Sequence, residues 1–132
     1  MSFQFFDLVK DNLAISDAIM AHTKCPSSRY FVLNVASDLS NPYADVEYPL
    51  YYEIVMKSDL EKLSDMIKEQ RDSGKIAIVH CIGGEERSPL VVAYHMVKTK
   101  EAKDLEEAYS MIWRARPIAS DRRHWIVEDE EV

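Results

Sequence analysis

Cysteine, glycine and basic residues are all scarce in this chain. Of its 132 residues two are cysteine, Cys25 and Cys81, three are glycine and five are proline. Two cysteines are too few for the disulfide framework of a small secreted scaffold, so a reduced, cytoplasmic protein is expected. The histidines, His22, His80, His95 and His124, have no CxxC or HExxH spacing around them. No metal and no other cofactor is therefore expected. No apolar run approaches the about 18–20 residues of a membrane span. The first residues carry no basic stretch ahead of their apolar ones, as a secretory signal would. Lys and Arg number 16 against 23 Asp and Glu, a net charge of −7. That sign disfavours a general nucleic-acid or anionic-membrane binder, because counterion release would work against it. It leaves room for one small anion pocket, which is made by local donors and not by net charge.

What is present fits an ordinary globular chain: 47% hydrophobic and 30% charged residues, without repeats. One domain over residues 1–132 is expected, with a real core. A monomer is expected, and Glu128 to Glu131 read as a solvated acidic tail over 128–132. The segment 12–16 alternates as a short strand, and Asp17 could cap a short helix through Ala18–Ala21. Cys25 falls in turn chemistry with Pro26 and reads as inert. Tyr30 to Val35 is a β-rich buried run, Asp38 to Ala44 a loop, and Val46 to Leu50 a weaker strand. Ser58 to Glu61 has the pattern of a capping box, and Leu60, Leu63, Met66 and Ile67 mark one helical face. Gly74 closes that helix. Ile76 to His80 is the clearest buried strand. A helix opens at Ser88-Pro89, and two more are expected over about 104–114 and 119–127, split at Arg116-Pro117. Alternating strands and helices predict an α/β fold, with a central mostly parallel sheet of about four to five strands flanked by helices. The site should lie beyond the carboxyl ends of the strands.

The segment from His80 to Pro89, HCIGGEERSP, joins the clearest strand to a helix. A loop this short curls on itself, and adjacent glycines free its backbone. The amides of Ile82, Gly83, Gly84, Glu85, Glu86 and Arg87 would then converge as a nest for a tetrahedral oxyanion. Arg87 can close the nest as a two-pronged donor. The same field favours the thiolate of Cys81, a nucleophile aimed at phosphorus. Ser88 is in reach to donate to the sulfur when it becomes the leaving group. His80 is expected to order the loop and not to act as a base. The side chains of Glu85 and Glu86 are expected to face solvent and to disfavour highly anionic substrates.

The pattern His-Cys-x-x-Gly-x-x-Arg-Ser resembles the active-site loop of the cysteine-dependent protein tyrosine phosphatases, and the Ser-Pro continuation points to the dual-specificity branch. Residues 12–18, Phe31 to Val35, Asn41-Pro42 and Arg116-Pro117-Ile118 are similar to further segments of that family, so the resemblance spans about residues 12–126. With so little chain outside the core fold, a shallow pocket admitting phosphoserine and phosphothreonine is expected; the resemblance implies the phosphatase fold and hydrolysis of phosphotyrosine and these esters by a cysteinyl-phosphate intermediate. It also implies a general acid three residues after a proline, in a strand that Val46 to Leu50 resembles. That position holds Tyr52, not Asp. Glu53 is the first candidate for the acid. Asp45 and the more remote Asp38 are alternatives, Asp59 is read as structural, and the absence of a protein acid is a further possibility. Tyr51 and Tyr52 wall the pocket or pack under the loop. The expected partner is a phosphorylated protein or peptide. The alternatives are a phosphate-binding module without turnover, a phosphatase of RNA 5′-ends or phosphoinositides, and, disfavoured, sulfur-transfer or thiol redox chemistry at Cys81.

Overall fold

The computed structural model describes residues 6–18 and 29–129. The elements run β1 (Asp7–Lys10), β2 (Leu13–Ser16), β3 (Tyr30–Ala36), β4 (Val46–Leu50), β5 (Val55–Met56), α1 (Lys57–Asp72), β6 (Ile76–His80), α2 (Arg87–Lys98) and α3 (Leu105–Ala115), then a 3-10 turn (Arg123–Trp125) and β7 (Ile126–Val127). Five strands form one sheet in the order β1-β2-β6-β3-β4. All its pairs are parallel except β1 with β2. The expected α/β class and mostly parallel sheet are observed.

Strand alternation decides which face carries the main core. Leu13 and Ile15, Phe31, Leu33 and Val35, and Ala77 and Val79 point to the side where Leu60, Leu63 and Ile67 of α1, Leu90 and Met96 of α2 and Ile112 of α3 meet them. Ala14, Val32 and Ile78 face the other way, with Phe6, Tyr30 and Ala44 against them. The central strand β6 therefore has apolar residues on both faces, as a parallel strand covered twice requires. It delivers His80 to the carboxyl edge of the sheet, directly before the loop.

Four expectations need correction. Strand β1 had not been anticipated: Asn12, with φ of 60°, turns the chain so that Asp7–Lys10 returns along β2. The capping box does not form. Helix α1 starts at Lys57, two residues early, and its N-cap Met56 makes no side-chain cap. Glu61 instead accepts from Tyr94 Oη and pairs with Lys98. The orphan N–H of Ser58 is capped from far away by Asp129 Oδ1, at 3.0 Å. The acidic end is accordingly not all solvated tail, since Glu128 also pairs with Lys57. Finally, 119–127 is not a helix. Its amides are claimed elsewhere: Ser120 N–H by Glu85 O and Arg122 N–H by Tyr109 Oη, both outside the segment, while Asp121 within it takes the Arg123 N–H that a helix would have given to Ala119 O. One 3-10 turn survives, and β7 then pairs with β5.

Gly74, with φ of 93°, ends α1 as expected. Helix α2 starts at Arg87, with Pro89 in its first turn. The helix expected after Asp17 lies mostly outside the described residues, and so does Cys25. Among the described residues no helix is long and apolar enough to cross a membrane.

Candidate active site

Strand β6 ends at His80, a six-residue turn follows, and α2 begins at Arg87; that junction fixes everything else. Each carbonyl from Cys81 to Glu85 is engaged from outside the loop. His80 Nδ1 donates to Cys81 O at 2.9 Å. The N–H of Ala18 donates to Ile82 O at 2.7 Å and that of Ser120 to Glu85 O at 2.6 Å. Arg116 donates from Nη2 to Gly83 O at 2.9 Å and from Nε to Gly84 O at 2.8 Å. None of the described peptides is cis. In a trans peptide the N–H lies opposite the C=O. Five carbonyls held outward therefore turn the N–H groups of residues 82–86 inward, toward Cys81.

His80 is fully buried. Asn41 Oδ1 accepts from Tyr43 N–H, which fixes the amide, so Asn41 Nδ2 donates to His80 Nε2 at 3.0 Å. The proton of His80 then sits on Nδ1, facing the Cys81 carbonyl. Asn41 is itself held by its N–H donating to Glu47.

Cys81 is buried, with Sγ 3.3 Å from Ser88 Oγ. A cavity of about 120 Å³ above it is lined by Tyr52, Cys81, Ile82, Gly83, Glu85, Glu86 and Arg87. The side chain of Arg87 is fully buried. Nη1 donates to Leu50 O at 3.1 Å and to Ser37 Oγ at 3.4 Å; Nη2 donates to Asp38 Oδ1 at 3.0 Å and to Tyr52 Oη at 2.7 Å. Nε is buried with no partner. The two-pronged grip expected from the sequence is thus half open. One donor is free, and the other is held by Asp38 and Tyr52.

Tyr52 packs its ring on the guanidinium, 4.0 Å from ring centroid to Cζ, and its edge on Trp125. Burial pushes its hydroxyl up, partly offset by the adjacent Arg87 charge. Tyr52 walls the cavity with one side and is 44% exposed on the other, whereas Tyr51, 68% exposed, does not line it. Glu53 has φ of 68° and is exposed. It lines a neighbouring cleft of about 450 Å³ with Tyr52, Glu86, Arg122, His124 and Trp125, not the cavity over Cys81. Asp45 is spent on the Val32 N–H. Asp59 accepts from Tyr48 Oη at 2.6 Å and pushes that phenol up to about 12. Asp38 is paired with Arg87. Glu85 is exposed, whereas Glu86 is drawn into an ion pair with Arg122 at 2.9 Å. The loop's negative charge is thereby partly neutralised. Among the described residues no group of His, Cys, Asp and Glu is placed to hold a metal ion.

Arg116 was legible only as a turn residue. It is a mostly buried guanidinium, paired with Asp7 at 2.7 Å, that holds the loop from behind. Nothing local signals this, because its partners are 32 and 33 residues away. Gly84 shows how tight the fit is. A Cβ there would sit 2.7 Å from Ser16 O and from Arg116 Nη2, at φ of 66°. The Ser16 carbonyl is strand backbone and cannot yield. Gly84→Ala is expected to cost about 2–3 kcal/mol, read as a lowered denaturant midpoint. A wild-type midpoint would contradict it.

The sequence matches the family model described as "Dual specificity phosphatase, catalytic domain" over residues 8–131. It is 27% identical over 104 residues to "Dual specificity protein phosphatase Mpk3" of Drosophila melanogaster, covering 73% of this chain and 25% of that protein. It is 27% identical over 128 residues to "Dual specificity protein phosphatase 1" of Arabidopsis thaliana, covering 90% of this chain and 64% of that one. The chain thus spans a quarter to under two thirds of these relatives. The fold is similar to that of human DUSP28, with a TM-score of 0.79 at 18% identity, covering 94% of this chain and 89% of that one.

Proposed function

Because the chain belongs to the dual specificity phosphatase catalytic-domain family, we propose that it hydrolyses phosphate monoesters on proteins, on tyrosine and on serine or threonine, through a cysteinyl-phosphate. One observation carries this reading. Arg87, whose buried Nε has no partner, lines the same small cavity as Cys81, beneath inward-turned amides. Such an array is matched to a tetrahedral oxyanion. Cys81 Sγ attacks phosphorus and the ester P–O bond breaks. The amides of residues 82–86 and Arg87 hold the equatorial oxygens. Water then attacks phosphorus and the S–P bond breaks, with Ser88 donating to the departing sulfur. His80 is a positioning residue, tied to the Cys81 carbonyl and to Asn41. A protein substrate is favoured over RNA 5′-ends or polyphosphoinositides by the net charge of −7 and by Glu85 at the cavity wall.

The test is hydrolysis of p-nitrophenyl phosphate in chelator from about pH 4.5 to 8, with phosphopeptides and a phosphoinositide compared at the optimum. Cys81→Ser is expected to abolish turnover, and quenched wild type should carry one phosphate on Cys81 by mass spectrometry. Turnover that survives Cys81→Ser would refute the mechanism. A phosphoinositide preferred over every phosphopeptide would refute the substrate class. A phosphocysteine that forms and never hydrolyses would favour the alternative of a binding module. That alternative draws support from the engagement of Asp38, Asp45 and Asp59 elsewhere.

A further inference from the structure

Cleaving an unactivated phosphate ester requires a proton for the departing oxygen. Among the groups lining the cavity over Cys81, only Tyr52, Glu85 and Glu86 could supply one. Glu86 accepts from Arg122 Nε at 2.9 Å and is ion-paired with it, which turns its carboxylate toward that guanidinium. The side chain of Glu85 curls back over Gly83, within 3.5 Å of where that residue's Cβ would stand, and is exposed.

Tyr52 is differently placed. Arg87 clamps its loop at two points, the Leu50 carbonyl and the Tyr52 hydroxyl. An Arg N–H can only donate. Tyr52 Oη is therefore the acceptor of that bond, and its own O–H proton is left to point elsewhere. No acceptor for that proton is found among the described residues. The hydroxyl thus stands at the cavity wall with a donor to spare, beside the cation that would stabilise its phenolate.

Resting on the phosphatase reading, we propose that Tyr52 is the general acid of this site, protonating the leaving-group oxygen in place of a carboxylic acid. In the first step the Sγ–P bond forms, the P–O bond breaks with its electron pair on the leaving oxygen, and that oxygen takes the Tyr52 proton. The phenolate is held by Arg87 Nη2. In the second step it takes a proton from the attacking water as the S–P bond breaks, which restores the phenol. Burial keeps the phenol protonated in the resting site, so the proton is available across the neutral range.

The experiment compares wild type, Tyr52→Phe, Glu53→Gln and Glu85→Gln on phenyl phosphate and on 2,4-dinitrophenyl phosphate. The second ester has a leaving group that needs no proton. Phe keeps the ring under Arg87 and against Trp125, and melting temperature reports whether it does. The expected result is a kcat loss in Tyr52→Phe that is at least about 30-fold larger on phenyl phosphate than on the dinitrophenyl ester. The two Gln variants should show no such difference. Equal losses on both esters would make Tyr52 a structural wall and overturn the proposal. A gain on both would make it a lid over Arg87, and the leaving-group signature in Glu53→Gln or Glu85→Gln instead would move the acid there; either result overturns it. Failure of the phosphatase reading looks different: wild type turns over neither ester, or turns both over without Cys81.

Discussion

Arg87→Lys is expected to lower kcat/KM for p-nitrophenyl phosphate by about 10³-fold while keeping the charge of the site. The buried guanidinium does two jobs at once. Four bonds reach outward, to Leu50 O, Ser37, Asp38 and Tyr52, and one N–H is left for the cavity. An ammonium has three donors radiating from a point and no planar fork. It cannot bridge the carbonyl of the 50–52 loop, the Asp38 carboxylate and an anion in the cavity. Loss of one aimed donor to an oxyanion costs about 10²–10³ in rate, and release of the Tyr52 loop adds to it. Steady-state kinetics on the two proteins at matched ionic strength reads the effect. A loss under tenfold would mean that the buried positive charge matters and the fork does not.

Protonation of His95, across the molecule, is expected to remove about 3 kcal/mol of stability between pH 6.5 and pH 4, with carboxylates adding to the loss at the acid end. Arg71 Nη1 is 3.0 Å from His95 Nε2, and Ser64 Oγ is 2.8 Å from Nδ1. Since Arg only donates, Nε2 must accept, and the single ring proton sits on Nδ1 facing Ser64. A second proton would meet a guanidinium in a buried pocket. Burial first, and then the Arg71 charge, lower the pKa from 6.5 to about 4; Glu101 opposes this and Lys68 adds to it slightly. The unfolded chain therefore binds this proton at a pH where the native state does not. The contribution is complete above pH 6.5 and lost progressively toward pH 4. Carboxylates held down in the native state, such as Glu101 beside Arg71, begin to contribute only near their ordinary 4.5. Urea midpoints between those two values isolate His95. In His95→Asn the slope over that window should flatten. An unchanged slope would assign it to another group.

How much of this could be read from the residues depends on the reach of each interaction. Strand β6 and the opening of α2 were legible because apolar alternation and a proline in a first turn are local signals. Cys81, Arg87 and Ser88 share one nine-residue frame, so their nearness followed once the turn was recognised. The errors share a cause: a partner distant in sequence outbid a local one. Asp129 caps α1 from 71 residues away, where Ser58 had the local pattern. Glu85 O and Tyr109 Oη take the Ser120 and Arg122 amides and tie 119–127 to the loop and to α3 in place of a helix. Strand β1 is short and carries exposed Leu8, so its pattern was too weak to register. Arg116, the strongest external support of the loop, is a single basic residue before a proline. Glu53 had carboxylate chemistry in its favour, but backbone direction decides which side chain faces a cavity, and that direction places Tyr52 there.

The loop whose five carbonyls are gripped from behind has a consequence for selectivity. A cradle that does not yield offers the same amides to a phosphate monoester, to its planar transferring phosphoryl group and to the free phosphate that results. Most of what it contributes is then common to substrate and product, which tightens occupancy without choosing among esters. The choice of what the phosphate is attached to falls to residues outside the cradle, Glu53, Arg122, His124 and Trp125 around the adjoining cleft. These side chains could change from one relative to the next, and the identity of the substrate with them, while the cradle and its five outer bonds stayed as they are.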